Sequence, residues 1–339
     1  MIIEQNKSIK QYNTFGVDTK AKNFVSISDV EDLSQIIDAG LTVEKFFILG
    51  GGSNLLFVGD YNGTIIKNDL KGIKILDEGN ESVLIEAATG EIWHEFVTYC
   101  VQNKYYGLEN LALIPGTVGS APVQNIGAYG VEQKDYFHSL SAIDCKNGKK
   151  VDLTLSECKF SYRYSVLKEP GMRDMFITSV RYKLSKRDNP NLVYKDLRKY
   201  FSQQNKEQVT AMDVYEAVCS IRKGKLPDPA EIGNAGSFFK NPFVKQEIFD
   251  EIKNTYPDVM GFPQNDSTFK LSAAWLIEKD GWKGKRYKDA GVYEKHSLIL
   301  VNHGNASGKD IFDLSEMIRK SVLKRFGINL EREIIVISS

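Results

Sequence analysis

No two cysteines of this chain stand close enough in sequence to form a CxxC pair. The four present, Cys100, Cys145, Cys158 and Cys219, are widely spaced. That spacing excludes zinc-finger and dithiol redox motifs and predicts buried free thiols in a reducing compartment. No metal site is expected. Neither sign of charge is in excess, because Lys+Arg and Asp+Glu both number 44. A whole-protein electrostatic footprint for nucleic acid or a membrane surface is therefore not expected. No apolar run reaches membrane-spanning length, and the opening MIIEQNKSIKQYNTFG has no apolar core of a secretory signal. Repeats and low-complexity tracts are missing as well. The expectation is a cytoplasmic protein, taken as a monomer, whose 339 residues make two or three domains.

What the chain has is the stretch Leu111–Gly130, LALIPGTVGSAPVQNIGAYG. It holds Gly116, Gly119, Gly127, Gly130, Pro115 and Pro122, and no charged side chain. Neither a helical nor a strand period runs through it. Glycines at this density let backbone N–H groups face a ligand with no Cβ in the way. Uncharged donors of that kind suit a buried pyrophosphate. The alternative is a surface loop with ordinary turn chemistry. Leu111, Leu113, Ile114, Val118, Val123, Ile126 and Tyr129 make the stretch too apolar for that.

Ahead of it, residues 23–68 read as a small α/β unit. A strand over Phe24–Ile27 leads to a capping box at Ser28-Asp-Val-Glu31 and to Leu33, Ile36 and Ile37 at helical spacing, with Gly40 as the stop. A buried strand, Lys45–Leu49, then runs into Gly50-Gly51-Gly52-Ser53-Asn54. A Rossmann fingerprint fails here, because position 55 is Leu55 and the stretch LLFVGDYNG is too short and turn-rich for the required helix. No GxxxxGK[ST] occurs, so a P-loop is excluded. A second backbone nest for phosphate remains, with Ser53 and Asn54 adding side-chain hydrogen bonds. Strands over Ile73–Leu76 and Val83–Ala87 come next, then a helix near Glu91–Gln102, whose Trp93 and His94 read as cofactor contacts or, better, as a core-facing Trp beside a partly exposed His.

Beyond the glycine stretch, Asn147-Gly148 between Leu140–Asp144 and Lys149–Leu153 signals a hairpin. In Phe160-Ser-Tyr-Arg-Tyr-Ser165, Arg163 offers a planar fork for a carboxylate, or else is a solvent-facing arginine on a strand edge. Met175–Leu184 alternates as a strand. Residues 190–208, with Tyr194, read as an exposed excursion, followed by a helix over Ala211–Ile221. Arg222 to Pro229 reads as a basic, proline-bounded stop, with Lys225 as an anion site. In Gly233–Pro242, Ser237 stands between Gly236 and Phe238. It is not the serine of a GxSxG elbow; it is either a serine presented in a dry pocket or one in a turn ahead of a strand. Helices are expected near Val244–Asn254, Ser272–Lys279 and Lys309–Phe326, the last capped by Ser307 and Asp310, and a strand over Ser297–Val301 between His296 and His303. Leu330–Ile337 is a β run. Glu333 at its start is a face of an edge strand unless it points into a pocket.

Together these stretches resemble the UDP-N-acetylenolpyruvylglucosamine reductases, the MurB family of peptidoglycan synthesis. The resemblance rests on Asn13–Gly16, Leu49–Leu56, Gly107–Gly119, Gln124–Gly130, Tyr162-Arg163, Gly233–Pro242 and Leu330–Glu333, in that order along nearly the whole chain. It implies an α+β protein: a two-subdomain FAD-binding fold of the PCMH/vanillyl-alcohol-oxidase type, plus a C-terminal α/β substrate domain. The implied boundaries are 1–70 with the returning strand 327–339, then 71–226, then 227–326. Noncovalent FAD is assigned to Gly50, Gly51, Gly52, Ser53, Asn54, Leu55, Pro115, Gly116, Thr117, Gly119, Ser120, Gln124, Asn125, Gly127, Ala128 and Tyr129. The UDP-sugar is assigned to Tyr129, Tyr194, Lys225, Gly236, Asn241 and His296. Tyr194 matches the tyrosine-bearing loop of the family's larger type; Gly51 and the 290–297 segment vary in character from the family, and His296 lies where a polar substrate contact is expected.

The implied reaction passes a hydride from NADPH to the flavin and then to the terminal methylene of the enolpyruvyl ether. Negative charge develops on the enolpyruvyl carboxylate, and its stabilisation carries much of the rate. Arg163 matches the cation for this charge, Glu333 a carboxylate beside it, and Ser237 the proton donor to the adjacent carbon. Two other classes compete: an FAD-dependent oxidase of the same fold acting on an alcohol or hydroxy acid, and a sugar-nucleotide-binding protein without turnover. The Ser237 block is unexplained by the first. The second is disfavoured by the presence of Arg163, Ser237 and Glu333 together.

Overall fold

The computed structural model describes residues 2–338 except 205, 207 and 265. The chain folds into two compact units, one of residues 1–7, 21–51 and 62–224, the other of residues 8–20, 52–61 and 225–339.

In the first unit a four-stranded sheet runs in the order Ile3–Ser8, Lys20–Ile27, Tyr61–Asn68, Phe46–Leu49, the last two parallel. Helix α1 (Val30–Asp38) buries Leu33 and Ile36 with Val25, Ile27 and Ile66. Its cap is Asp29, not Ser28. Val30 is the first helical residue, so Asp29 holds the extended N-cap conformation and accepts from the Glu31 N–H at 3.0 Å.

A five-stranded antiparallel sheet comes next, in the order Lys150–Thr154, Phe137–Asp144, Met175–Ser185, Ser82–Ala88, Ile73–Glu78. Helix α2 (Trp93–Gln102) lays Trp93, Phe96, Val97 and Cys100 into one core with Ile85, Val180 and Tyr182. The Asn147-Gly148 hairpin forms, with the Asp144 N–H on the Lys149 carbonyl at 2.9 Å and Gly148 at φ 71°. The glycine-rich stretch contains one helical turn, α3 (Ser120–Val123). It is no surface loop: Leu111, Ala112, Val118, Ala121 and Ile126 belong to the core of this unit.

Two expectations for residues 190–226 are corrected. The excursion contains helix α4 (Lys195–Ser202), whose Leu197 and Phe201, four residues apart, are buried under an otherwise polar face. Helix α5 (Ala211–Lys225) does not stop at Ile221 but continues through Arg222, Lys223 and Gly224. Pro227 ends it, since the residue before a proline is forced out of helical geometry.

The second unit carries an antiparallel sheet in the order Gly233–Ser237, Ile299–Asn302, Ala290–Val292, Arg286–Tyr287. A second antiparallel sheet runs Phe243–Lys245, Thr268–Leu271, Gly261–Pro263. Its helices are α6 (Gln246–Thr255), α7 (Ala273–Lys279) and α8 (Gly308–Phe326). The expected start of α6 at Val244 is displaced, because Phe243–Lys245 pairs with Thr268–Lys270 as a strand before the helix begins. Ser307 and Asp310 form the expected capping box of α8. Ile311, Leu314, Ile318 and Val322 of this helix enter a core with Ala290, Val292 and Leu300.

The terminal β run is shorter than expected. Only Ile335–Ile337 is a strand, parallel to Leu55–Phe57. The residues before it make a different pairing, in which Arg332 bridges Phe239 and the Lys240 N–H reaches the Glu331 carbonyl at 2.9 Å. Glu333 is half-buried rather than on an exposed strand face.

Candidate active site

In the first unit Phe46–Leu49 delivers Gly50 and Gly51 against the glycine-rich stretch. A Cβ on Gly50 would lie 2.9 Å from Thr117 Oγ1, and one on Gly51 2.9 Å from Gly116 Cα. Gly116 itself sits at φ 123°, a conformation in practice confined to glycine. Among the described residues the N–H groups of Gly50 and Gly51 donate to no protein acceptor. Thr117 and Ser120 close the turn on each other: the Thr117 N–H donates to Ser120 Oγ at 3.0 Å, and that hydroxyl donates to the Thr117 carbonyl at 2.7 Å. Gly119 backs onto Thr89, with room for no side chain. Asn125 is buried, and its side chain bonds Glu132, Gln133, the Lys134 N–H and the Ser161 carbonyl. Its part in the cradle is to hold the turn.

Arg163 stands at the tip of a tight turn, not on a strand edge. Ser161 and Tyr164 exchange backbone hydrogen bonds of 3.1 Å, and Arg163 takes φ 55°. Its Nη2 donates to the Gly127 carbonyl at 3.0 Å, its guanidinium lies 5.2 Å from the centre of the Tyr162 ring, and Lys168 Nζ donates to its carbonyl at 2.9 Å. The arginine is thus tied to the end of the glycine-rich stretch. Tyr194 lands there as well: its ring meets Tyr129 edge-on at 5.3 Å. Asn110 Nδ2 joins the two segments by donating to the carbonyls of Tyr129 and Asn191, both at 3.0 Å. Burial pushes the Tyr129 hydroxyl up to about 12. Gln124 and Ala128 lie half-buried in the same stretch.

In the second unit Ser237 ends a strand that bulges. Asn234 faces Val301 and Ser237 faces Ile299, so three steps on one strand match two on the other. Gly236 takes the left-handed conformation, φ 69°, and its N–H donates to Asn234 Oδ1 at 3.0 Å. Bulges of this kind re-aim the next side chain. The following residue, Phe238, accepts the Glu333 N–H on its carbonyl at 2.9 Å. Asn54 reaches the same place: its Nδ2 is 3.4 Å from the Glu333 carbonyl, and its own carbonyl accepts the Ile335 N–H at 3.0 Å. Gly52, at φ 66°, packs its backbone on Tyr12 and Asn13, leaving Ser53 half-buried and Leu55 in the strand beside Ile335.

Lys225 is an exposed residue at the end of α5. Asn241 Oδ1 accepts the Ala273 N–H at 3.0 Å. His296 Nδ1 accepts the Leu298 N–H at 3.3 Å, and burial, then Lys225 and Lys283, lower its pKa against the opposing pull of Glu278. Ser237, Glu333 and Asn54 are therefore brought together within the second unit. Pro115, Arg163, Tyr129 and Tyr194 belong to the first.

The chain resembles known proteins over its full length. Residues 21–154 match the model of an FAD binding domain, and residues 228–337 that of the UDP-N-acetylenolpyruvoylglucosamine reductase C-terminal domain. A UDP-N-acetylenolpyruvoylglucosamine reductase of Flavobacterium johnsoniae is 45% identical, covering 99% of this chain and 100% of its own. That of Pseudomonas putida is 44% identical over 97% of both, and that of Bordetella pertussis 43% identical over 98% of this chain and 95% of its own. The chain belongs to the UDP-N-acetylenolpyruvoylglucosamine reductase (MurB) family. The solved MurB of Thermus caldophilus has the same fold, with a TM-score of 0.70, 24% identity and 99% of each chain covered. The α+β class, with an FAD-binding domain and a MurB C-terminal domain, is thereby established.

The residues present fit FAD. Gly50 and Gly51 pack so closely on Thr117 and Gly116 that a Cβ on either has no room, and their N–H donors, which meet no protein acceptor among the described residues, suit an anionic group. Some residues of the second unit escaped the sequence reading. Asn234 is buried and fully bonded, with Nδ2 on the carbonyls of Pro227 at 3.2 Å and Ile232 at 3.0 Å. Phe243, Lys270 and Phe262 form one cross-strand row, with both phenylalanines about half exposed. The row leaves no motif in the sequence, because only Val244 among the immediate neighbours of the two phenylalanines is buried.

Proposed function

We propose that this chain reduces the enolpyruvyl ether of UDP-N-acetylglucosamine to UDP-N-acetylmuramate, a step of peptidoglycan precursor synthesis, with FAD as cofactor and NADPH as hydride donor. The observation that carries the reading is the Gly50–Gly51 cradle on Gly116 in a chain 45% identical over its length to a reductase of that name. When bound, FAD would supply the hydride-transfer chemistry between NADPH and the enolpyruvyl group.

The protein's own residues do the rest. Arg163 carries a charge-assisted fork for the carboxylate on which negative charge accumulates. Ser237, aimed by the Gly236 bulge, gives its Oγ proton to the adjacent carbon, so that one hydride and one proton saturate the double bond. Glu333 is the carboxylate that assists this step. Tyr194, Lys225, Gly236, Asn241 and His296 bind the substrate, its diphosphate falling to Tyr194, Lys225 and Asn241. The exposed Phe243–Lys270–Phe262 row offers apolar faces beside a cation, which suits a base with a phosphate nearby.

The functional subdivision we propose is 1–70 with 327–339, then 71–226, then 227–326. The protein acts as a cytoplasmic monomer without nucleic-acid partners. The four thiols, none of them in a disulfide, agree with a reducing compartment. Among the described residues no helix is long and apolar enough to cross a membrane.

The test is an anaerobic visible spectrum of the purified protein, taken alone, after NADPH, and after the enolpyruvyl UDP-sugar. A yellow protein that bleaches with NADPH and regains its colour only with the sugar is expected. A yellow protein indifferent to the sugar would favour an oxidase. A colourless protein that takes up no FAD would overturn the reading.

A further inference from the structure

Leu113 holds a left-handed backbone, φ 58°, that a bulky side chain seldom adopts. Such a conformation persists where the surroundings over-determine it. Here side chains hold both polar groups of the residue. The Leu113 N–H donates to His94 Nδ1 at 3.1 Å, and its carbonyl accepts from Arg222 Nε at 3.2 Å. The His94 ring is itself fixed, stacked on Tyr215 at 5.8 Å and 12°. The Tyr215 hydroxyl in turn lies 2.8 Å from Thr98 Oγ1. On either side of the clamp, Trp93 Nε1 donates to the Leu111 carbonyl at 2.9 Å and the Trp93 N–H to the Gly116 carbonyl at 3.0 Å. Gly116 is the residue against which Gly51 rests.

We propose that His94 is a positioning residue for the flavin cradle, acting in its neutral Nε2–H tautomer as the acceptor that locks the Leu113 peptide. The proposal rests on the reading of the chain as a flavoenzyme.

A ring nitrogen that accepts an N–H cannot also carry a proton. Protonating His94 sets two donors face to face and releases the Leu113 N–H. The groups facing the ring are Glu95 on its own helix and Tyr215, Arg222 and Lys223 on α5. The glycine-rich stretch brings no charge. Burial and then Lys223 lower the pKa of His94 from its ordinary 6.5, Glu95 opposes them, and Arg222 adds to the lowering. The folded pKa is depressed, so the clamp is complete above the ordinary value and is lost as pH falls through the lowered one. Apparent FAD affinity then drops by up to about tenfold for each pH unit below that point.

The experiment tracks FAD release from the holoprotein by free-flavin fluorescence from about pH 8 down to about pH 5, the range in which a histidine titrates. Wild type, His94→Asn and His94→Phe are compared. Asparagine offers an acceptor at the same δ position and does not titrate. Wild type should hold FAD evenly near the top of the range and lose it steeply at the acid end. His94→Asn should bind FAD nearly as well at the alkaline end and show a flat profile. His94→Phe should bind at least about tenfold more weakly throughout, also without slope, since the Leu113 N–H has lost its acceptor. A flat wild-type profile, or an acid slope that survives in His94→Asn, overturns the proposal. If His94→Phe does not fold, the comparison of wild type with His94→Asn decides alone. A protein that holds no FAD at any pH overturns both the proposal and the flavoenzyme reading beneath it.

Discussion

Ser237 owes its direction to the glycine before it. Gly236 at φ 69° makes the bulge, Asn234 pins the Gly236 N–H, and the serine rejoins the ladder opposite Ile299, one residue before the Phe238 carbonyl that accepts the Glu333 N–H. Ser237→Ala keeps this backbone and removes only the hydroxyl. Anaerobic stopped-flow should show flavin reduction by NADPH unchanged, while reoxidation by the enolpyruvyl sugar slows by about 10²–10⁴-fold, the usual worth of a positioned proton donor. Fast reoxidation would remove Ser237 from the chemistry. Gly51 makes a different demand at the same scale. A Cβ there stands 2.9 Å from Gly116 Cα, a backbone atom that cannot swing aside. Gly51→Ala should therefore raise the FAD dissociation constant by about tenfold or more, as a loss of ~1.4 kcal/mol or greater would. Gly59→Ala, where a Cβ meets nothing within 4 Å, is the matched control and should bind FAD as wild type does. Both glycines stand in plain view in the sequence, but only the structure tells which one has no room.

The elements legible in the sequence are those with a strong local signal. The α8 cap, the Asn147-Gly148 hairpin and the apolar face of α2 all arise from short-range chemistry. Helix α4 did not, because Leu197 and Phe201, its two buried residues, give too little period to read among Lys195, Asp196, Arg198 and Lys199. The C-terminal run misled for the opposite reason. Its apolar residues suggest one strand, but Glu331–Glu333 spends its hydrogen bonds on Phe238 and Lys240 before the Ile335–Ile337 strand begins. The clamp of His94 and Arg222 on Leu113 was illegible, since bonds to a backbone leave no motif. The α8 cap carries a pH signature. Hydrogen bonds from Lys288 and Ser307 hold the Asp310 carboxyl down at about 2. A depressed carboxyl stabilises the fold above its ordinary pKa and loses that stability as pH falls toward 2. Asp310→Asn should cost ~1 kcal/mol by urea unfolding at neutral pH, the usual value of a cap. That difference should hold steady down to about pH 5 and shrink below about pH 4, as the wild-type carboxyl gains its proton. A difference independent of pH would show that the charge contributes nothing.

At the scale of the molecule, the second unit is assembled from three stretches far apart in sequence, 8–20, 52–61 and 225–339. The Asn13–Gly16 block, one of those that carry the family resemblance, works as one of the joints. Asn13 Nδ2 ties the carbonyls of Ile9 at 2.8 Å and Val17 at 3.0 Å. The carbonyl of Thr14 accepts the Asn234 N–H at 2.9 Å, and that of Phe15 accepts Asn302 Nδ2 at 2.9 Å. The C-terminal strand is the other joint. Ile335–Ile337 is the parallel partner of Leu55–Phe57, and the Val58 N–H ends on the Ile337 carbonyl at 2.9 Å. Leu55, Leu56 and Phe57 are all buried. Removing residues 335–339 would expose one side of that buried strand and discard the Ile337 side chain. The lost apolar burial alone is worth ~3 kcal/mol, before the unmade backbone bonds are added. Truncation after Ile334 should therefore lower Tm by several degrees and open the region around residues 52–61 to protease, with the new cleavage mapped by mass spectrometry. Single substitution Ile337→Ala should move both readouts the same way but less, because it keeps the backbone ladder. A truncated chain that melts with the full-length protein and resists cleavage there would mean that the 55–57 strand is held by its other neighbours in the second unit.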